Sequence, residues 1–168
     1  NLEAYLLLSN AYAGQQDFGK AIEAIQKAVE VDPKRLESYL QLATLQRLHG
    51  DMAAAERTYH EALRVAPESV QISLALAEFH FSQQHFAQAE ATYKDVIARH
   101  PLDVEPYLWL ADFYTSQKQL AAAEEVYRQV MTIAANDLRP LIALGDFFLA
   151  TDQAARALEV YKQAEAQA

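Results

Sequence analysis

The chain has 168 residues, of which 52% are hydrophobic and 22% charged, with only four glycines and five prolines. That excludes a disordered tail, whose composition could not offset the entropy of ordering, and an all-β domain, which needs more turn formers and far fewer than the 32 alanines present. The formal charge of −9 is opposite in sign to what phosphate contacts require, so nucleic acid is excluded, anionic lipid surfaces are disfavoured, and basic or apolar partners are favoured.

The absence of cysteine removes disulfides, thiolate nucleophiles, zinc–thiolate sites and iron–sulfur clusters. No apolar run approaches the 18 residues of a membrane span, so direct membrane insertion is not expected. The chain opens at Asn1 without an initiator Met, and we expect it to be a stretch of a longer protein.

In chain order, the first predicted helix carries Tyr5, Leu8, Ser9 and Tyr12 at i, i+3, i+4, i+7 spacing, which places them on one stripe. The polar stretch Gly14-Gln15-Gln16-Asp17 separates it from a second helix marked by Ala21, Ile25 and Ala28, and Val31-Asp32-Pro33 ends that helix. The same cycle returns with Tyr39, Leu42, Ala43, Gln46, then Ala55, Tyr59, Ala62 and Pro67. It returns again with Ser73, Leu76, Ala77, His80, then Ala89, Tyr93, Val96 and Pro101. The fourth cycle has Tyr107, Leu110, Ala111, Tyr114, then Ala123, Tyr127 and Val130, but ends on Ala135 where the first three have proline. The fifth has Leu141, Leu144, Gly145, Phe148, then Ala157, Tyr161 and Ala164. Pro106 and Pro140 fall in the first turn of a helix, where a missing N–H costs nothing.

The period is 34 residues throughout, and the blocks are 2–35, 36–69, 70–103, 104–137 and 138–168. Small residues recur where two helices must approach closely, and an aromatic or large aliphatic fills the facing gap. On these columns the whole chain resembles five consecutive tetratricopeptide repeats. The resemblance implies an all-α fold, a right-handed α-α superhelix of five helix-turn-helix units whose first helices line a concave groove. It also implies protein binding rather than catalysis. The 34-residue period and the acidic face separate the chain from the pentatricopeptide RNA readers. The Lys, Asn and Arg with which co-chaperone members hold a terminal carboxylate pair are matched here by Leu6, Asn10, Gln41, Gln71 and Ala75, so capture of that ligand is excluded.

One residue from the packing stripe lies a second stripe on each first helix. It reads Leu6, Leu40, Leu74, Leu108 and Ile142 in one column. Three residues upstream come Glu3, Glu37, Gln71, Glu105 and Arg139, and four downstream Asn10, Thr44, Glu78, Asp112 and Asp146. The first helices hold six acids against only Arg47 and Arg139. The expected binding surface is therefore an aliphatic ladder of Leu40, Leu74 and Leu108 edged by Glu37, Glu78, Glu105, Asp112 and Asp146, with Phe81 and Trp109 as large anchors. The competing reading is that the aliphatics and aromatics complete the packing between neighbouring first helices and that each acid is an ordinary solvated residue.

No Gly-rich phosphate loop, nucleophile elbow or paired-imidazole spacing is present, so no cofactor or metal is expected and the chain is not read as an enzyme. His80 and His85 are too far apart in sequence for an i, i+4 pair, and Glu124 and Glu125 are read as solvated. The expected function is a scaffold that binds a protein or peptide segment bearing apolar and basic residues. The alternatives are homo-oligomerisation through terminal repeats, since Leu158, Tyr161 and Ala164 lack a following helix, and a recruiting arm of a larger enzyme. Ala- and Gln-rich arrays of this kind resemble bacterial assembly and envelope scaffolds, which leans the compartment towards bacterial cytoplasm or periplasm.

Overall fold

A computed structural model describes residues 1–167. Ten helices form among them: α1 Leu2–Gly14, α2 Phe18–Val31, α3 Leu36–His49, α4 Met52–Val65, α5 Val70–Ser82, α6 Phe86–Arg99, α7 Val104–Ser116, α8 Leu120–Ile133, α9 Leu138–Ala150 and α10 Ala154–Gln167. Each odd-numbered helix begins 34 residues after the previous odd one, and each even helix likewise, so the period of the sequence is the period of the backbone.

Capping side chains fix several starts. Asp17 and Asp51 accept from the N–H groups of Lys20 (3.2 Å) and Ala54 (2.8 Å). Ser69 and Asp137 do the same for Ile72 (3.3 Å) and Arg139 (2.9 Å), each cap contributing about 1 kcal/mol. Proline is not the decisive stop. Helices α2 and α4 end at Val31 and Val65, two residues ahead of Pro33 and Pro67, and α8 stops at Ile133 in the same register without a proline. The turn is instead fastened from the following helix: Tyr39 and Tyr107 each donate a hydroxyl to the carbonyl of Pro33 and Pro101, at 3.1 Å in both cases.

The turns within each pair share one backbone device. Gln16, Gly50, Gln84, Lys118 and Asp152, spaced 34 apart, all have positive φ between 58° and 91°. The next N–H then reaches back to a carbonyl five residues earlier, as in Asp51 to Gln46 and Gln119 to Tyr114, both 2.9 Å. Only Gly50 adopts this conformation without a Cβ penalty. Replacing Lys118 by glycine is expected to stabilise the fold by about 0.5–1 kcal/mol, and Gly50→Ala to cost about as much. Urea denaturation midpoints of the two variants check both signs.

The chain divides into two compact units, Asn1–Ala89 and a second that begins at Glu90, with the division inside α6. In the first unit Ala21, Ile25 and Ala28 of α2 pack on Leu42 and Leu45 of α3. A second cluster joins Tyr39 and Ala43 of α3, Ala55, Tyr59 and Ala62 of α4, and Ile72, Leu76 and Phe79 of α5. In the second unit α7, α8, α9 and α10 pack in succession, burying Leu110, Ala111, Ala123, Tyr127, Leu144 and Phe148 among others. Gly145 is required where the small-residue column meets Tyr161, since a Cβ there would overlap that ring.

A further column couples one repeat to the next. Rings of Tyr59 and Phe79 in the first unit lie 5.6 Å apart and tilted by 49°. In the second unit Tyr93 meets Phe113 at 5.8 Å and 51°, and Tyr127 meets Phe147 at 5.5 Å and 45°. Each pair is twenty residues apart in sequence, a spacing shared by the aliphatic pair Ile25 and Leu45 of one core cluster. On α10, only part of the expected open face is open: Leu158 is 55% exposed, whereas Ala164 is buried and Tyr161 half-buried.

Candidate functional site

The faces of the first helices are exposed in a regular pattern. In every repeat the outer columns, Glu3 to Arg139 and Asn10 to Asp146, are exposed. The aliphatic column between them is not equally open. In the first unit Leu40 is half-buried against the cluster containing Tyr39 and Phe79, and Leu74 is only 4% exposed. Leu74 therefore belongs to the interior and offers almost no surface, which is the packing alternative of the sequence reading. Glu37 is exposed and lies 3.9 Å from Arg35, and Glu78 is exposed beside the half-buried Phe81, whose ring meets Phe86 at 5.8 Å. Helices α3 and α5 contact each other, so these residues share one face. Gln41 ties α1 to α3 by donating to Asn10 at 2.8 Å and Ser9 at 3.2 Å.

In the second unit α7 and α9 are likewise in contact. Helix α7 presents exposed Glu105 and Asp112 with half-buried Leu108 and Trp109 between them. On α9, Ile142 is 45% and Leu149 51% exposed, on the same stripe as exposed Asp146 and Arg139. Two carboxylates are held from behind. Tyr127 donates its hydroxyl to Asp112 at 2.7 Å and Tyr161 to Asp146 at 2.6 Å. Burial, then the Asp112 carboxylate, holds the Tyr127 phenol protonated far above its ordinary range, so it remains a donor at any physiological pH. Sequence reasoning placed these tyrosines in the core and missed their hydroxyls; the signal was an Asp fifteen residues ahead of a second-helix Tyr.

Several acids outside these faces are paired. Asp17 pairs with Lys20 at 2.8 Å, Glu90 with Lys94 at 2.6 Å and Asp95 with Arg99 at 2.7 Å. Glu124, expected to be solvated, instead binds Arg128 at 2.8 Å and Arg156 at 2.5 Å, because the third residue of α10 brings a guanidinium beside α8. Among the described residues Glu78, Glu105, Asp112 and Asp146 have no cationic side chain within 4.0 Å. These four first-helix carboxylates thus lack an ion pair among the described residues, as do Glu23, Glu30, Glu125, Glu159 and Glu165 of the second helices.

His80 on α5 is buried, its Nδ1 makes no hydrogen bond, and Glu56 Oε1 lies 4.0 Å away. Burial lowers its pKa below the ordinary value of about 6.5, opposed by Glu56 and reinforced by His85 and His60. A neutral imidazole folded and a protonated one unfolded means that stability is fully present above pH about 6.5 and falls as the pH drops from there towards the depressed folded value. Wild-type stability should therefore decline between pH 7 and 5 more steeply than that of His80→Phe, a residue type found at the same column as Phe148; thermal melts across that range give the comparison. His80 and His85 rings are 6.3 Å apart, and no group of three metal-ligating side chains occurs among the described residues.

Comparison with known proteins bears on the helix pairs as a whole. Residues 2–35 match one family profile described as Tetratricopeptide repeat, and residues 46–111 and 82–137 match another of the same description. No curated protein sequence matches the chain. Among solved structures, MamA is similar at 20% identity, covering 99% of this chain and 91% of that one with a TM-score of 0.62. PilF of Pseudomonas aeruginosa is similar at 17% identity, 99% and 76% coverage and a TM-score of 0.65. YrrB, described as having an unusual peptide-binding site, is similar at 15% identity, 99% and 86% coverage and a TM-score of 0.55. At these identities the likeness is one of fold.

Proposed function

We propose, from the premise that the chain belongs to the tetratricopeptide repeat family, that it is a non-catalytic scaffold which holds a partner protein segment against the exposed faces of its first helices. The observation that carries this reading is the charge of the first-helix faces: Glu78, Glu105, Asp112 and Asp146 stand exposed with no ion pair among the described residues, and the first helices hold six acids against only Arg47 and Arg139. An exposed carboxylate without an ion pair adds little to the fold, whereas a basic partner is steered by it. The partner segment carries Lys or Arg opposite these carboxylates and apolar side chains opposite Leu40 and Phe81 in the first unit, and opposite Leu108, Trp109 and Ile142 in the second. Apolar contact supplies most of the affinity and the carboxylates supply on-rate and selectivity, over an interface of about 800 Å² per partner. A peptide ligand is the kind described for YrrB, and the likeness to PilF of Pseudomonas aeruginosa, a bacterium, is in keeping with a bacterial setting.

Trp109 is the single tryptophan and lies half-buried within the proposed surface, so its emission is a built-in reporter. Partners captured from a lysate at low salt on the immobilised chain should carry basic segments, elute as salt rises, and shift Trp109 emission when titrated back. Captured proteins that leave Trp109 unchanged and resist salt would contradict the reading. Self-association is a second reading, favoured by Leu7 at 63% and Leu158 at 55% exposure. A light-scattering mass that rises with concentration, and no longer does so in Leu7→Glu with Leu158→Glu, would support it.

A further inference from the structure

The packing column read along the first helices is Tyr12, Gln46, His80, Tyr114 and Phe148, a ring in every repeat but the second. Where Gln46 stands in place of that ring, the first unit has a cleft of about 710 Å³ between α2 and α4. Its floor is α3, through Leu42 and Gln46, and its walls include Ile22 and Val29 from α2 and Ala54 and Thr58 from α4. It therefore lies among the second helices, apart from the acidic first-helix face.

Three properties of the cleft go beyond an ordinary packing gap. First, Gln46 is 7% exposed, and its Oε1 accepts the buried Thr58 hydroxyl at 2.7 Å. That bond fixes the amide and leaves Nε2, on the cleft lining, with no hydrogen-bond partner among the described residues. Nε2 is reached by solvent rather than sealed in the core, so a ligand acceptor can take the place of water there. Second, the cleft is elongated: its α2 lining runs from Gly19 to Glu30, about 16 Å at 1.5 Å per residue, which is the length of about five extended residues. Third, its lining is chemically graded. Ile22, Leu42 and Val29 give it apolar contact, and Glu30 and Glu61 both line the end where α2 and α4 finish, with Arg57 one turn before Glu61 and Arg64 3.5 Å from the Glu61 carboxylate.

We infer that this cleft is a second peptide site, separate from the first-helix face, which takes an extended segment of about five residues. Gln46 Nε2 donates to a backbone carbonyl of that segment, Ile22 and Val29 cover a β-branched or leucine side chain, and Glu30 with Glu61 receive a Lys or Arg side chain. The absence of the ring is what opens the site, so its restoration closes it.

The test is an array of pentapeptides, each with one Lys or Arg and two Val, Ile or Leu residues, probed with the whole chain. Positive peptides are then titrated by fluorescence anisotropy against wild type, Gln46→Phe, Glu30→Gln with Glu61→Gln, and Glu78→Lys with Glu105→Lys. The expected result is at least tenfold weaker binding to Gln46→Phe and to the exposed-carboxylate pair, with the first-helix variant within twofold of wild type. The carboxylate pair is on the surface and leaves folding intact, so it decides the matter even if Gln46→Phe disturbs packing. Array peptides that bind Gln46→Phe and the carboxylate pair as tightly as wild type, or no peptide retained at all, overturn the proposal. Loss confined to the first-helix variant also overturns it, and assigns the peptides to the other surface.

Discussion

Replacing Phe147 by alanine is expected to destabilise the second unit by about 3–5 kcal/mol, the largest effect of any single substitution considered. Phe147 is 4% exposed on α9 and its ring meets that of Tyr127 on α8 at 5.5 Å. The contact joins the second helix of one repeat to the first helix of the next, so its loss strikes the interface that two-helix units cannot do without. Truncation removes the transfer free energy of the ring and leaves a cavity where it met Tyr127 and Phe148. Phe79→Ala should act on the first unit in the same way, because Phe79 is 2% exposed and meets Tyr59 at 5.6 Å. Phe147→Leu should recover about half of the loss, since most of the volume returns without the ring contact. Chemical denaturation followed by far-UV circular dichroism checks the three variants. An alanine variant within 1 kcal/mol of wild type would show that the repeat interface is held elsewhere.

The second large effect concerns binding. Glu78→Lys with Glu105→Lys is expected to weaken a basic partner segment by about 30-fold at low ionic strength and by only a few-fold at about 0.5 M salt, where the Debye length falls below the spacing of the charges. These two acids are the right choice because neither carboxylate accepts a hydrogen bond or forms an ion pair among the described residues, so the reversal leaves the fold untouched. Asp112 and Asp146 need a different substitution. Each accepts a tyrosine hydroxyl, and lysine there would strand the largely buried Tyr127 O–H at a cost of about 1–3 kcal/mol. Asparagine keeps an acceptor while removing the charge, and Asp112→Asn with Asp146→Asn should cost about tenfold in affinity with little change in stability. Calorimetric titration of one captured segment at two salt concentrations separates the electrostatic share from the apolar one.

Much of this architecture was legible in the residues. The columns Tyr39, Leu42, Ala43 and Ala55, Tyr59, Ala62 repeat at a period that only a helix pair satisfies, and the structure buries all six. The turn register was legible too, through Gly50 and the polar residues at its counterparts. What the period could not convey was depth. Leu40, Leu74, Leu108 and Ile142 occupy one column, yet Leu74 is 4% exposed and Ile142 45%. These side chains sit at the border between the packed stripe and the open one, where coverage depends on the bulk of neighbouring first helices rather than on the residue itself. The tyrosine hydroxyls were hidden for a related reason: a long amphipathic side chain can fill a core position with its ring and still deliver its polar end to the surface. The Phe79, Phe113 and Phe147 column was readable from its twenty-residue offset to a tyrosine, but it connects different repeats and so escapes a search made within one. Gln46 was visible as the one member of its column with neither a ring nor an imidazole, and its consequence appeared only as unfilled space.

The central claim is that partners are held by the exposed faces of the first helices. It is tested most directly by the backbone amide NMR footprint of a captured partner segment on the isotopically labelled chain. The account predicts that shifts and broadening concentrate on α3 and α5 around Glu37, Leu40, Glu78 and Phe81, and on α7 and α9 around Glu105, Leu108, Trp109, Asp112 and Asp146, and that they fade in Glu78→Lys with Glu105→Lys. A footprint confined to the even-numbered helices, or one that the charge reversal leaves unchanged, would contradict it.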